Sequence, residues 1–354
     1  MYESFFGLNE APFTLTPNTH FFLKSETHQQ GLEMLLVALQ NKEGFIKISG
    51  EVGTGKTLLC RKLLNALDDT YITAYIPNPH FSAESLYCVL ANELSGELAA
   101  CQQRAQPLGP ESRKQEGSLQ ENSQKSPQET SNQSSGYFNQ DLTGEKYVLA
   151  LQRINECLIQ FAKNGKQVVL IIDEAQSMPD ETIEALRLLT NLETESEKLL
   201  QVVLFGQPEL DLMLQKKHLR QLQQRITFQH RIQPLNRKDI EQYISHRMLL
   251  AGYRGGRLFE AKAITLLTRA SKGIPRLVNV LCHKALMSAY GKGSKIVLRQ
   301  HMNAAIRDTE SVDMPFWQRF TWSLSALVVY GATCASDMPA SYISMQAVNI
   351  GLML

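Results

Sequence analysis

The run Gly50-Glu51-Val52-Gly53-Thr54-Gly55-Lys56-Thr57 has the spacing G-x-x-x-x-G-K-T, whose chemistry is the cradling of phosphate oxygens. Gly53 and Gly55 let successive backbone N–H groups face one anion, and a helix opening at the loop adds its positive dipole end. With Leu58 entering that helix, residues 50–58 are the expected phosphate-binding set. Lys56 is expected to reach the β- and γ-phosphates, and the Thr57 hydroxyl to ligate Mg²⁺. A second group follows the apolar run Val168-Val169-Leu170-Ile171-Ile172, which ends in Asp173-Glu174. There Asp173 is suited to hold the same Mg²⁺, and Glu174 to polarise a water attacking the γ-phosphate. Gln207 ends another apolar run and is placed to touch the γ-phosphate or that water. Arg276 follows Pro275 at a helix start, so its guanidinium could swing over the phosphates from a lid.

These groups need a parallel sheet to bring them together. Five strand-like segments are expected, at Phe45–Ser49, Tyr71–Ile76, Val168–Ile172, Leu199–Gly206 and Thr227–Ile232. Helical patterns lie between them, giving an α/β fold with helices on both faces of the sheet. The acidic strand is separated in sequence from the loop strand by the Tyr71 strand and its helix. This places Glu174 on a strand between the loop and another strand, as right-handed βα connections permit. Ser25 is a candidate cap for a helix carrying Leu32, Leu35, Leu36 and Leu39 on one face. A basic helix is expected through Lys216, Lys217, Arg220 and Arg225. Residues 236–310 show helical patterns only: Asp239–Leu250, Ala261–Arg269, and a third opening at Gly273-Ile274-Pro275-Arg276 and continuing to Tyr290. A small helical lid fits them. The expected organisation is an extended aromatic and proline-rich arm over 1–24, an α/β core over 25–235 and the lid over 236–310.

Two stretches depart from this pattern. Residues 102–146 contain no Val, Ile, Met or Trp, too little apolar surface to offset ordering, so a disordered insertion is expected. From Phe320 to Leu354 the only charged residue is Asp337. Residues 317–336 are therefore a candidate membrane-spanning helix with a cytoplasmic N-terminal side, a buried or interfacial helix being the competing reading, and 337–354 a tail. The chain has 354 residues and a formal net charge of +1, which gives no bulk electrostatic reason to bind nucleic acid. Its six cysteines are scattered with no C-x-x-C pair, as expected of reduced thiols in a cytosolic compartment. The N-terminal residues lack the basic flank and apolar run of a signal peptide, so the catalytic part is expected to stay where it is made.

Assembled, these pieces resemble the AAA+ ATPases of the ExeA/GspA family, including members that serve MSHA-type (type IV) pilus biogenesis. The resemblance rests on Met1-Tyr2-Glu3-Ser4-Phe5-Phe6-Gly7-Leu8, on Pro12-Phe13 with Leu15 and Pro17, and on Gly50–Thr57. It rests also on Ile172-Asp173-Glu174-Ala175-Gln176, Phe205-Gly206-Gln207-Pro208-Glu209-Leu210 and Gly273-Ile274-Pro275-Arg276. It implies a P-loop AAA+ five-stranded parallel sheet with a small α-helical lid, and Mg²⁺-dependent hydrolysis of ATP. It equates Lys56 and Thr57 with Walker A, Asp173 and Glu174 with Walker B, Gln207 with sensor 1 and Arg276 with sensor 2. Arg225 matches the arginine finger that completes a neighbour's site, which implies a homo-oligomeric ring or filament. The implied partners are pilus or type II secretion assembly proteins on the cytoplasmic face of the inner membrane. The competing expectations are a soluble AAA+ regulator of DNA transactions and a nucleotide switch with negligible turnover.

Overall fold

The computed structural model describes residues 2–14, 21, 26–105, 144–193 and 198–310. Five strands form one parallel sheet: β1 (Phe45–Gly50), β2 (Tyr71–Ile76), β3 (Gln167–Ile172), β4 (Leu200–Gly206) and β5 (Ile226–Ile232), in the order β2-β3-β4-β1-β5. Every residue of β1 and β4 is buried, and the two-residue period of the pleat divides the strand side chains between two cores. Phe45, Leu170, Ile172, Val202 and Leu204 join one apolar cluster, while Ile46, Ile48, Ile171, Val203 and Phe205 join another on the opposite face.

The first cluster is closed by α4 (Ala83–Ala105), α5 (Gly144–Lys163), α6 (Asp180–Leu189), α7 (Pro208–Leu214) and α8 (Arg220–Arg225). The second is closed by α2 (Glu26–Gln40) and α3 (Lys56–Ala66). Among the described residues four helices follow the sheet: α9 (Arg237–Leu250), α10 (Ala261–Ser271), α11 (Pro275–Gly291) and α12 (Arg299–Arg307). They share a third apolar cluster.

Several expectations change. The arm begins as a helical turn, α1 (Glu3–Phe6), ended by Gly7 at φ 69°. Its Tyr2, Phe6, Leu8 and Phe13, with Phe21, are buried in the cluster of α9–α12. Arg247 fastens it there. Buried in α9, its Nε donates to the Pro12 carbonyl at 2.6 Å and its guanidinium lies 4.8 Å from the centre of the Phe21 ring. The helix α4 runs on to Ala105 and α5 begins at Gly144, so both ends of the polar stretch 102–146 are helical. Residues 106–143 of it lie outside the described residues, as do Ser25, the 317–336 segment and the tail.

Lys216, Lys217, Arg220 and Arg225 do not share one helix. The chain breaks into α7, a short 3-10 turn at Lys217–Leu219 and α8. Lys216 and His218 both contact Asp180, at 2.7 and 3.0 Å. The acidic strand β3 pairs with β2 and β4, so β4 separates it from the loop strand β1. Among the described residues no helix is long and apolar enough to cross a membrane.

Candidate functional site

The loop between β1 and α3 turns on two glycines. Gly53 and Gly55 have φ of 81° and 100°, values that L residues with a side chain rarely adopt. A Cβ on Gly53 would also lie 2.6 Å from Cβ of Arg276, and one on Gly55 would lie 2.9 Å from Nε2 of His28. Thr54 closes the turn, its N–H and its hydroxyl both donating to the Glu51 carbonyl, at 3.2 and 2.8 Å. Lys56 is 4% exposed, and its Nζ donates to the carbonyls of Gly50 and Glu51 at 2.9 and 3.1 Å. Burial pulls its pKa below the usual lysine range, with Glu174 and Asp173 acting against that shift.

The parallel sheet places the acidic pair beside this loop, because β1, β3 and β4 all end at the same edge. The Thr57 hydroxyl donates to Asp173 Oδ2 at 2.7 Å, joining the two sequence motifs directly. Asp173 is 2% exposed, and burial raises its pKa despite the Thr57 hydrogen bond. A hydroxyl and a carboxylate side by side form a hard oxygen pair of the kind that holds Mg²⁺ when phosphates supply further oxygens. That fits the expected ion. Among the described residues no group of three or more His, Cys, Asp or Glu could hold a metal without such help.

Glu174 stands at φ 53°, in the left-handed region. Two side-chain amides converge on its Oε2, Nε2 of Gln176 at 2.6 Å and Nε2 of Gln207 at 2.8 Å. Oε1 of Gln176 in turn accepts from the Gln207 backbone N–H at 3.0 Å. The carboxylate and the tip of β4 are thus one hydrogen-bonded unit.

Arg276 reaches the loop through its backbone, its N–H donating to the Gly53 carbonyl at 3.2 Å. Pro275 at the first position of α11 suits that start, since proline lacks only an N–H that a helix end leaves unused. Arg225 is not brought in. It sits at the start of β5, at the other edge of the sheet, with Nη1 near the Arg187 carbonyl and Thr190 Oγ1 at 3.4 and 3.3 Å. A strand of that length is about 20 Å long.

Two residues emerge only from the structure, Gln176 and His28. The first was visible as part of Asp173-Glu174-Ala175-Gln176, but a polar residue after an acidic pair has many uses. The second had no sequence signal, being a lone histidine in an amphipathic helix.

A sequence profile of the AAA domain matches residues 39–214. The chain is 36% identical over 319 residues to General secretion pathway protein A of Aeromonas hydrophila, a match covering 90% of this chain and 50% of that protein. It therefore spans about half the length of that curated relative. Among solved structures, the Aeropyrum pernix ORC1 protein in complex with DNA superposes with a TM-score of 0.51 at 14% identity, over 84% of this chain and 69% of the other. The Aeropyrum pernix ORC2 protein (ADPNP-ADP complexes) gives 0.49 at 15% identity, over 84% and 73%. At such identities the ORC1 likeness speaks for the fold alone.

Proposed function

The chain is an AAA-domain protein of the General secretion pathway protein A type, and on that premise we propose that it binds ATP with Mg²⁺ and hydrolyses it. The observation that carries the reading is the 2.7 Å bond between Thr57 and Asp173, with Glu174 held next to it by Gln176 and Gln207. In this reading Lys56 exchanges its two neutral carbonyl partners for phosphate oxygens, which are stronger acceptors. Thr57 and Asp173 would hold Mg²⁺, which would supply positive charge beside the transferred phosphoryl group. Glu174 takes the proton of the attacking water, Gln207 orients that water, and Arg276 follows the phosphates from the lid.

Arg225, at the far edge of its own sheet, is assigned to a second copy's site, so turnover depends on self-association. The cellular role we assign is support of type II secretion, or of MSHA-type pilus assembly, at the cytoplasmic face of the inner membrane. DNA regulation is the weaker reading, because the basic stretch after α7 is partly neutralised by Asp180.

One experiment tests the catalytic and self-association parts together: phosphate release by wild type, Glu174→Gln and Arg225→Ala as protein concentration rises. Glu174→Gln is expected to lose about 100-fold or more in turnover with ATP still bound, the scale of a lost general base. Wild-type specific activity should climb with concentration, and Arg225→Ala should stay low throughout. Unchanged turnover in Glu174→Gln rejects the assigned base; specific activity independent of concentration rejects the shared site. Fractionation of cell extracts tests the placement, which fails if the chain leaves the membrane pellet entirely.

A further inference from the structure

We infer that His28 is a positioning residue for the phosphate loop, setting nucleotide affinity and not the hydrolytic step; the inference rests on the nucleotide-binding reading above. His28 belongs to α2, an element outside both nucleotide motifs, and is buried at 6% exposure. Its Nε2 lies 2.9 Å from the Thr54 carbonyl oxygen. A carbonyl only accepts, so this nitrogen carries the proton and donates. Burial lowers the pKa of the ring, and the neutral Nε2–H tautomer makes this contact without placing a charge in the core.

The consequence follows from peptide geometry. A trans peptide is planar, so the direction of the Thr54 carbonyl fixes the following N–H, that of Gly55, on the opposite side. No cis peptide is present among the described residues. His28 therefore pulls the carbonyl toward α2 and turns the Gly55 N–H away from it, toward the cradle formed with Gly53 and Lys56. The other polar groups of Thr54, its N–H and its hydroxyl, are both engaged by the Glu51 carbonyl, so His28 completes the hold on that residue. The imidazole also fills the space that a side chain on residue 55 would need. His28 is itself steadied from the sheet, since Nε2 of His230 in β5 donates to the Thr27 carbonyl at 2.9 Å. Without the His28 donor a buried carbonyl loses its partner, and the loop must reorganise before its N–H groups can meet an anion.

The test uses the full chain, a fluorescent ADP analogue with Mg²⁺, and steady-state ATP hydrolysis. His28→Phe keeps a ring and removes the donor; His28→Gln keeps an amide donor close to where Nε2 stands. We expect His28→Phe to raise both Kd and KM about tenfold with kcat within about threefold. His28→Gln should return Kd to within about threefold of wild type. Should His28→Phe fail to give a native circular dichroism spectrum, His28→Asn replaces it, its amide being too short to reach Thr54. Wild-type affinity in the donor-less variant, equal loss in His28→Gln, or a fall in kcat with KM unchanged each overturns the inference. A wild-type chain that ignores ADP overturns the nucleotide reading as well, which separates the two failures.

Discussion

Lys47 and Lys56 stand nine residues apart, one in the middle of the sheet and one at its edge, and both are buried. Lys47 in β1 is ion-paired with Asp211 of α7, whereas the hydrogen bonds of Lys56 go to the carbonyls of Gly50 and Glu51. A buried cation matched by a carboxylate is complete and holds α7 to the sheet. One resting on neutral carbonyls has paid its desolvation without a full counter-charge, and gains when an anion arrives. On the proposed reading the same residue type serves cohesion in one place and binding in the other. Partner chemistry tells the two apart, because burial does not.

Removing each lysine should separate these roles. Lys56→Met should weaken nucleotide binding by about 100-fold or more, as loss of a charge-assisted contact in a desolvated site does. The melting temperature of the nucleotide-free protein should hold or rise, because burial already disfavours the charged Lys56. A clear fall in that melting temperature breaks the contrast.

Lys47→Met should do the reverse. The lost ion pair should cost about 1–3 kcal/mol in denaturant unfolding, tempered because Asp211 is partly exposed. Nucleotide affinity should stay within about twofold, and a large loss of affinity would show that the sheet centre and its edge are not separable.

The smallest effect concerns Asp173. Burial raises its folded pKa above the ordinary carboxylate value, so the stability it contributes is fully present below the unfolded pKa and lost as pH rises through the folded one. Above that window the ionised form is a standing cost. Asp173→Asn should therefore melt about 2 °C or more above wild type at neutral pH, with the gap closing as pH falls toward the usual carboxylate range. A gap that does not change with pH removes the titration argument.

The groups assigned to the proposed nucleotide site were legible because the chemistry proposed for them demands fixed spacing. Gly53 and Gly55 are needed for positive φ, Lys56 and Thr57 must follow at once, and β3 must deliver Asp173 at its end. The five strands were legible too, since a sheet buried on both faces leaves continuous apolar runs such as Val168–Ile172. Strand order was not, because β4 inserts between β1 and β3 through contacts far apart in sequence. Where the arm packs was not legible for a related reason. Prolines and aromatics announce an extended, sticky segment but not which core receives it, and Arg247 decides that from 235 positions away. The basic helix failed because charge was counted without a helical period, while Asp180, the partner of Lys216 and His218, lies 36 and 38 residues upstream. The loss of α12 from the reading has a similar cause, since it has only nine residues and is polar outside Met302, Ala304, Ala305 and Ile306.

Because α1 and Phe13 are sunk among α9–α12, a fluorophore or affinity handle joined near Glu3 would travel with those helices. Paired with a second dye on the outer face of α6, it would make a distance gauge between those helices and the sheet without any label near Lys56.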